Sequence, residues 1–446
     1  MCKGKNFRIP ALVCAGALLL LGSCQKKAET SGGAGESRPV TLKFFSNESV
    51  MQDAFNKINA EYTRRNPNVT IEVVQVPGAD YNVKVDTTIL SGEQLDVAYF
   101  NAMYLYAPRA MQGEFYALDP LVAEEGVKLN DIYSIDATVE DGKVYALPGD
   151  VKYMLVWINK DDLDKAGLPV PPLVWTWDEY REYAKKLTWG EGTNKHYGSY
   201  FHSWDHYNVL EAYNLITDNP YLQKDGTHNL NNPAFRSSME LRYTLEQVDK
   251  TQLPLSEIIA MQLDYRSVFL GGRASMLLML TNIIPQISQT KDFPHDFVTT
   301  FATVPVARNN GRPGYTYADN RFYSIGASTV NAKETYKYLR YFTTEGIPMK
   351  NVTFTAEKNP KFSMDQMVDN MTSGNPSLFD VAQLKKILSW SDLHPNIWLN
   401  VPTYTAEILN LYWAEADKAA MGEISADQVF KNTIPQIESI ISRNKK

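Results

Sequence analysis

The chain of 446 residues carries 44 Lys and Arg against 51 Asp and Glu, a formal charge of −7 with no block of like charge. Neutralising a nucleic-acid backbone needs a basic face, so that class of partner is excluded. The three cysteines, Cys2, Cys14 and Cys24, all lie within the first 24 residues, which leaves the body of the chain without disulfides, thiolate catalysis or cysteine-ligated metal.

Lys3, Lys5 and Arg8 precede an uninterrupted apolar run, Ala11–Leu21. That run is short of the roughly 20 residues needed to span a bilayer, and the pattern predicts a secretory signal peptide over residues 1–23. Leu21-Gly22-Ser23-Cys24 resembles the bacterial lipoprotein box, which implies that Cys24 is acylated and tethers the mature protein to a membrane. The alternative is an ordinary signal peptide, or a short anchor with an incidental cysteine. Residues 24–39, polar and rich in Ser, Gly, Glu and Lys, read as a flexible linker. About 420 residues remain, enough for two lobes with sizeable cores.

Val40–Phe45 predicts a strand and Val69–Val76 the next. Between them a helix from about Met51 to Arg65 presents Ala54, Phe55, Ile58, Ala60 and Tyr62 on its apolar face. This β-α-β order gives a parallel pair, with ligands expected at the carboxyl ends of the strands. Ser46, Asn47 and Glu48 are therefore a candidate wall, helix capping being the competing role for Ser46. Asp80–Ser91 reads as a helix and Leu95–Phe100 as a strand, with Asp96 a turn residue and Asn101 and Tyr104 site candidates just past the strand's end. Asp141-Gly142 favours a tight reversal, and Lys152–Ile158 a buried strand. On that strand Tyr153 is assigned to a cleft and Trp157 to the core. Thr176 and Glu179 form a capping box opening a helix with Tyr180, Tyr183, Ala184 and Leu187 on its apolar face.

Tyr197–Asn208 is at once aromatic and polar: either a surface loop with core anchors or a ligand platform. Sugars present flat C–H faces and hydroxyl rims, so their sites combine aromatic rings with amides and carboxylates. Trp204, Asp205 and His206 are the platform candidates. His202, Asp205 and His206 lack a further clustered ligand, and no HExxH motif is present, so neither a metal nor any cofactor is expected. Asn231–Asp249 reads as a helix, Ala274–Leu280 and Phe297–Val306 as strands, and Gly314–Asn320 as a loop whose Tyr317, Asp319 and Asn320 line a cleft floor. Phe322–Ala327 is a strand, Lys333–Phe342 a helix, and the remainder is helical. Within it Trp390 and Trp398 serve either a ligand platform or the core.

Several motifs act together: Tyr145-Ala146-Leu147-Pro148, Trp157 to Leu163 (WINKDDL), Gly167-Leu168-Pro169, Thr176-Trp177-Asp178-Glu179, and Phe269 to Met276 (FLGGRASM). They resemble the extracellular solute-binding proteins of carbohydrate ABC importers, family 1, related to maltodextrin-binding proteins. The resemblance implies an α/β, two-lobed, class II periplasmic-binding-protein-like fold. Each lobe is then a mixed, mostly parallel sheet flanked by helices, with the cleft between lobes. It assigns residues 40–152 plus 321–350 to an N-terminal lobe and 153–320 plus 351–446 to a C-terminal lobe. It also puts Asn282 where the family has a Gly-x-Trp ligand wall, although this chain lacks that tryptophan.

The implied function is capture of a sugar or oligosaccharide by hinge closure and delivery to the permease subunits of an ABC importer. The protein would be an exported monomer, lipid-anchored through Cys24 at the periplasmic or outer face of the cell membrane, and not an enzyme. Aromatic residues make up 12% of the chain, which suits sugar stacking. Two alternatives stand. One is a non-sugar solute such as a polyamine, peptide or amino acid derivative, of which a cationic one would draw on Glu48, Asp205 and Asp319. An exported glycoside hydrolase would need two carboxylates about 5–10 Å apart, yet no motif pairs them at successive strand ends and no Gly-x-Ser-x-Gly elbow is present.

Overall fold

The structure, a computed structural model, describes residues 38–48, 51–308, 311–398 and 401–445. The expected signal peptide, Cys24 and nearly all of the expected linker lie outside the described residues. Nine strands join into one curled sheet: β1 (Val40–Ser46), β2 (Val69–Gln75), β3 (Val97–Phe100), β4 (Ala146–Asn159), β5 (Met276–Leu280), β6 (Thr299–Ala302), β7 (Tyr315–Ile325), β8 (Phe354–Thr355) and β9 (His394–Asn396).

The main strand order is β2-β1-β3-β7-β4-β5. β1 and β2 pair in parallel from Val40↔Val69 to Ser46↔Gln75, with the helix Gln52–Arg65 connecting them. That helix buries Phe55, Ile58 and Tyr62, one face at a spacing of three and four residues. β3 continues the parallel set beside β1, and β7 joins it antiparallel.

β4 and β7 organise everything else. The first part of β4 pairs with β7, and its last part is flanked by β5 and β6. Because successive side chains on a strand face opposite ways, Leu155 and Trp157 join one buried cluster while Met154, Val156 and Ile158 join another. The second cluster also holds Trp175, Trp177, Tyr180, Phe201 and Tyr207. Around Phe44 the first cluster is a set of edge-on rings, with Phe55 and Phe342 each 5.2 Å away. Ring pairs of this geometry add to burial.

Several expectations need correction. Tyr153 and Trp157 are four residues apart, so they share one face of β4 and do not divide between cleft and core. Trp157 is buried, while half-buried Tyr153 packs its ring on Phe354 at 5.9 Å. β4 begins six residues before the expected strand, where Ala146, Leu147 and Pro148 pair with Ser324, Tyr323 and Phe322, and its register breaks between Pro148 and Val151. Gly149 sits in that break, where a Cβ would stand 2.3 Å from the Tyr323 ring. Gly314–Asn320 is not a loop. After Gly314, which turns at φ 78°, the chain runs as β7, pairing first with β9 at Tyr315–Tyr317 and then with β4 from Ala318 onward. β9 likewise interrupts the expected helical remainder. Helix Pro233–Tyr243 ends early, passing into a wider turn through Val248.

The Thr176 capping box is present. Glu179 N–H donates to Thr176 Oγ1 at 3.2 Å, and Thr176 N–H donates to Glu179 Oε2 at 2.7 Å. Thr176→Ala is expected to cost about 1 kcal/mol of stability, read as a lower urea midpoint at unchanged slope. Asp96 accepts the Lys43 N–H at 2.7 Å and serves the backbone.

Candidate functional site

A cavity of about 360 Å³ opens where the carboxyl end of β3, the middle of β7 and the stretch after β9 converge. Asn101 and Tyr104 follow β3, and Tyr104 stands in the helix Met103–Met111. β7 contributes Tyr317, Asp319 and Asn320. Asn396 ends β9 and Trp398 follows it, while Trp204, Asp205 and His206 come from the aromatic-polar stretch. Tyr213, Phe322 and Trp413 add to the aromatic lining.

The rings form a connected series. His206 stacks on Tyr317 with centroids 4.3 Å apart and planes at 13°, and Tyr317 meets Tyr213 at 4.9 Å. Tyr213 faces Trp398 at 6.2 Å, and Trp398 meets Tyr104 at 5.5 Å. Burial is the main reason the His206 imidazole is pushed down to about 3, so it is neutral at pH 7.

Among these rings sit polar groups whose orientations are fixed from behind. Arg321 Nε donates to Asn101 Oδ1 at 3.0 Å, which leaves the Asn101 amide N–H groups unclaimed by that partner. Asn396 Nδ2 donates to the Tyr213 and Ile216 carbonyls at 2.8 and 2.6 Å, so its Oδ1 points away from them. Lys152 Nζ donates to Asp319 Oδ2 at 2.8 Å. The second Asp319 oxygen, Asn320 Oδ1, Asn396 Oδ1 and His206 Nε2 are all buried without a hydrogen-bond partner. Native proteins rarely leave such atoms unpaired, and the four residues that carry them all line this cavity. Burial, and then the neighbouring Asp417, pushes the Asp205 carboxyl up to about 6.

A sequence profile of the bacterial extracellular solute-binding proteins matches residues 48–347. The chain belongs to this family. A binding protein of Brucella abortus (strain 2308) is 22% identical over 441 residues, covering 95% of this chain and 98% of its own. The solved structure of a sugar transporter from Rhizobium etli, in an open conformation, superposes with a TM-score of 0.72 at 22% identity, over 90% of this chain and 99% of that one. An ABC substrate-binding protein from Listeria monocytogenes in complex with cycloalternan gives a TM-score of 0.72 at 18% identity, over 91% and 100%. The fold is thus the two-lobed α/β arrangement of periplasmic binding proteins. Membership implies an exported protein that binds a small molecule and works with an ABC transporter. Among the described residues no helix is long and apolar enough to cross a membrane.

Of the candidates read from sequence, this solute-binding protein brings Asn101, Tyr104, Trp204, Asp205, His206, Tyr317, Asp319, Asn320 and Trp398 to one cavity. Asn47, Glu48, Tyr153, Asn282 and Trp390 do not line it. Asn47 pairs its side chain with the Tyr99 hydroxyl, and Glu48 is held by Arg321 at 2.6 Å and Lys350 at 2.9 Å. Tyr153 leans on Phe354, and its N–H donates to Thr281 Oγ1. Asn282 lies in the helical turn Thr281–Ser288, and half-buried Trp390 follows the helix Val381–Leu388.

Tyr213, Asn396 and Trp413 were not among the candidates. Asn396 had a signal in its Pro-Asn step beside two tryptophans, whereas Tyr213 and Trp413 look like any amphipathic-helix aromatic.

Proposed function

We propose that the protein captures a sugar or short oligosaccharide in this cavity by hinge closure and delivers it chemically unchanged to the permease of an ABC importer. The observation carrying this reading is the cluster of buried, unpaired acceptors set among stacked rings. Hydroxyls would satisfy the acceptors while the C–H faces of a sugar lie on the rings. The relatives support it: the Listeria protein was solved with cycloalternan, and a Streptococcus mutans relative is named a multiple sugar-binding protein.

The lobes are taken as 40–152 plus 321–350 and 153–320 plus 351–446. β4, β7 and the segment around β8 then form the crossings about which they close. Cys24 carries the lipid tether and the protein acts as a monomer, on the strength of the leader sequence and the family's mode of action.

Charge argues against a polyamine. Glu48 is paired with Arg321 and Lys350, and Asp319 with Lys152, which leaves Asp205 alone among the nominated carboxylates. The same pairing leaves Asp319 poorly suited to act with Asp205 as a hydrolase pair, so no catalysis is assigned.

A thermal-shift screen of mono- and oligosaccharides, amino acids and polyamines tests the reading. A ligand at a hundred times its Kd adds about 2.7 kcal/mol. Hits confined to polyamines or amino acids overturn the sugar assignment, and turnover of a glycoside overturns the binding-protein role.

A further inference from the structure

We infer that the cavity selects uncharged, hydroxyl-rich sugars and excludes phosphorylated and carboxylated ones, with Asp205 as the residue that discriminates. This rests on the cavity being a sugar site and specifies which sugars it takes.

Three observations carry it. Among the described residues, no lysine or arginine lines the cavity. The two cations standing directly behind it are both already engaged: Lys152 with Asp319 at 2.8 Å, and Arg321 with Glu48 at 2.6 Å, Asp150 at 3.0 Å and Asn101 at 3.0 Å. Both cations are themselves buried, so neither is placed to meet a new anion without abandoning a buried carboxylate.

The second observation is the sign of the unpaired atoms. Asp319 Oδ1, Asn320 Oδ1 and Asn396 Oδ1 are acceptors, and each is buried without a partner. Phosphate dianions and carboxylates bring only further acceptors, whereas hydroxyl groups bring donors. A ligand that pairs these oxygens must therefore be rich in O–H or N–H.

Third, Asp205 lies in the wall with no ion pair among the described residues: burial and then the neighbouring carboxyl Asp417 push it upward, and Arg242, the cation that draws it down, is already paired with Glu246 at 2.8 Å. A cleft holding one unneutralised carboxylate repels an anionic guest and accepts from a hydroxyl. Discrimination of this kind works by building an unfavourable contact against the wrong partner.

The test uses isothermal titration of the mature chain at pH 8, where Asp205 is ionised. The probes are glucose, glucose 6-phosphate and glucuronate, then maltose beside maltobionate, and trehalose beside trehalose 6-phosphate. In any set that binds, the neutral member is expected to bind at least about tenfold more tightly than its anionic counterparts. Asp205→Asn is expected to shrink that ratio about fivefold or more, an effect that a purely structural role for Asp205 would not produce. An anionic member binding as tightly as the neutral one overturns the inference and leaves the sugar reading intact, as does an unchanged ratio in Asp205→Asn. If Asp205→Asn does not fold, Asp205→Ser takes its place with the same expected fall in the ratio, and an unchanged ratio overturns the inference. Binding by no saccharide in this panel or the wider screen overturns the sugar reading and the inference together.

Discussion

Lys350→Met is expected to lower the unfolding free energy by about 3–5 kcal/mol, the loss typical of breaking a buried charge cluster by removing one member. Lys350 Nζ lies 2.9 Å from Glu48 Oε2 and 3.2 Å from Asp150 Oδ2. Arg321 Nη1 closes the set, 2.6 Å from Glu48 Oε1 and 3.0 Å from Asp150 Oδ2. Two acids and two bases balance, and the side chains of Lys350 and Asp150 are fully buried. Taking out one ammonium leaves one negative charge with no counterion and no water. Methionine nearly conserves the volume, so the loss reports charge and not a cavity. Glu48→Gln in the Lys350→Met background restores neutrality and is expected to recover most of the loss.

The same cluster sets an acid limit. Burial would raise the Glu48 carboxyl, but Arg321 and Lys350 outweigh burial and hold it well below the usual carboxylate range. A depressed folded pKa contributes stability that is present above the unfolded value of about 4.3 and is lost as pH falls from there toward the folded value. Urea unfolding from pH 7 down to 3 should therefore show a decline below about pH 4 that Glu48→Gln flattens. A Lys350→Met variant within about 1 kcal/mol of wild type would mean that water reaches the cluster and that these charges are not buried in solution.

Why these charges escaped a reading of the sequence is physical. Asp150 and Lys152 stand inside an otherwise largely apolar strand, which already signals that each needs a partner. The partners lie 171 positions away for Arg321 and Asp150, and 167 for Lys152 and Asp319, and no local pattern encodes such pairings. Glu48 was placed in a ligand wall because it follows a parallel strand. That rule located Asn101 and Tyr104 at the cavity, but at Glu48 two buried cations had the stronger claim. Elements set by local chemistry were legible: the β1–helix–β2 unit, the Thr176 cap, the buried run before Asn159. β7 was not, since Asp319 and Asn320 carry turn chemistry that pairing with Lys152 and Val151 of β4 overrides. The aromatic-polar stretch from Tyr197 had two readings; Tyr200, Phe201 and Tyr207 are core anchors, whereas Trp204, Asp205 and His206 line the cavity.

Lys152→Met is expected to weaken ligand binding about tenfold or more, the worth of a hydrogen bond to a charged group, and to cost stability on the scale of Lys350→Met. Lys152 and Asp319 face each other across β4 and β7, the strands proposed to carry the hinge, with Lys152 only 2% exposed. Burial, with Arg321 adding, lowers the Lys152 ammonium, opposed by Asp319 and Asp150. Without that ammonium, Asp319 loses the bond that fixes its side chain and is left as a carboxylate with no counterion in a buried wall, so affinity and stability fall together. Lys152→Met/Asp319→Asn separates the two effects: it removes the buried charge and is expected to regain stability, while affinity stays low because the charged acceptor is gone. Titration of the best saccharide from the thermal-shift screen decides. A Lys152→Met protein that binds it as wild type does would remove Asp319 from the ligand contacts and leave its pairing with Lys152 a purely structural bond.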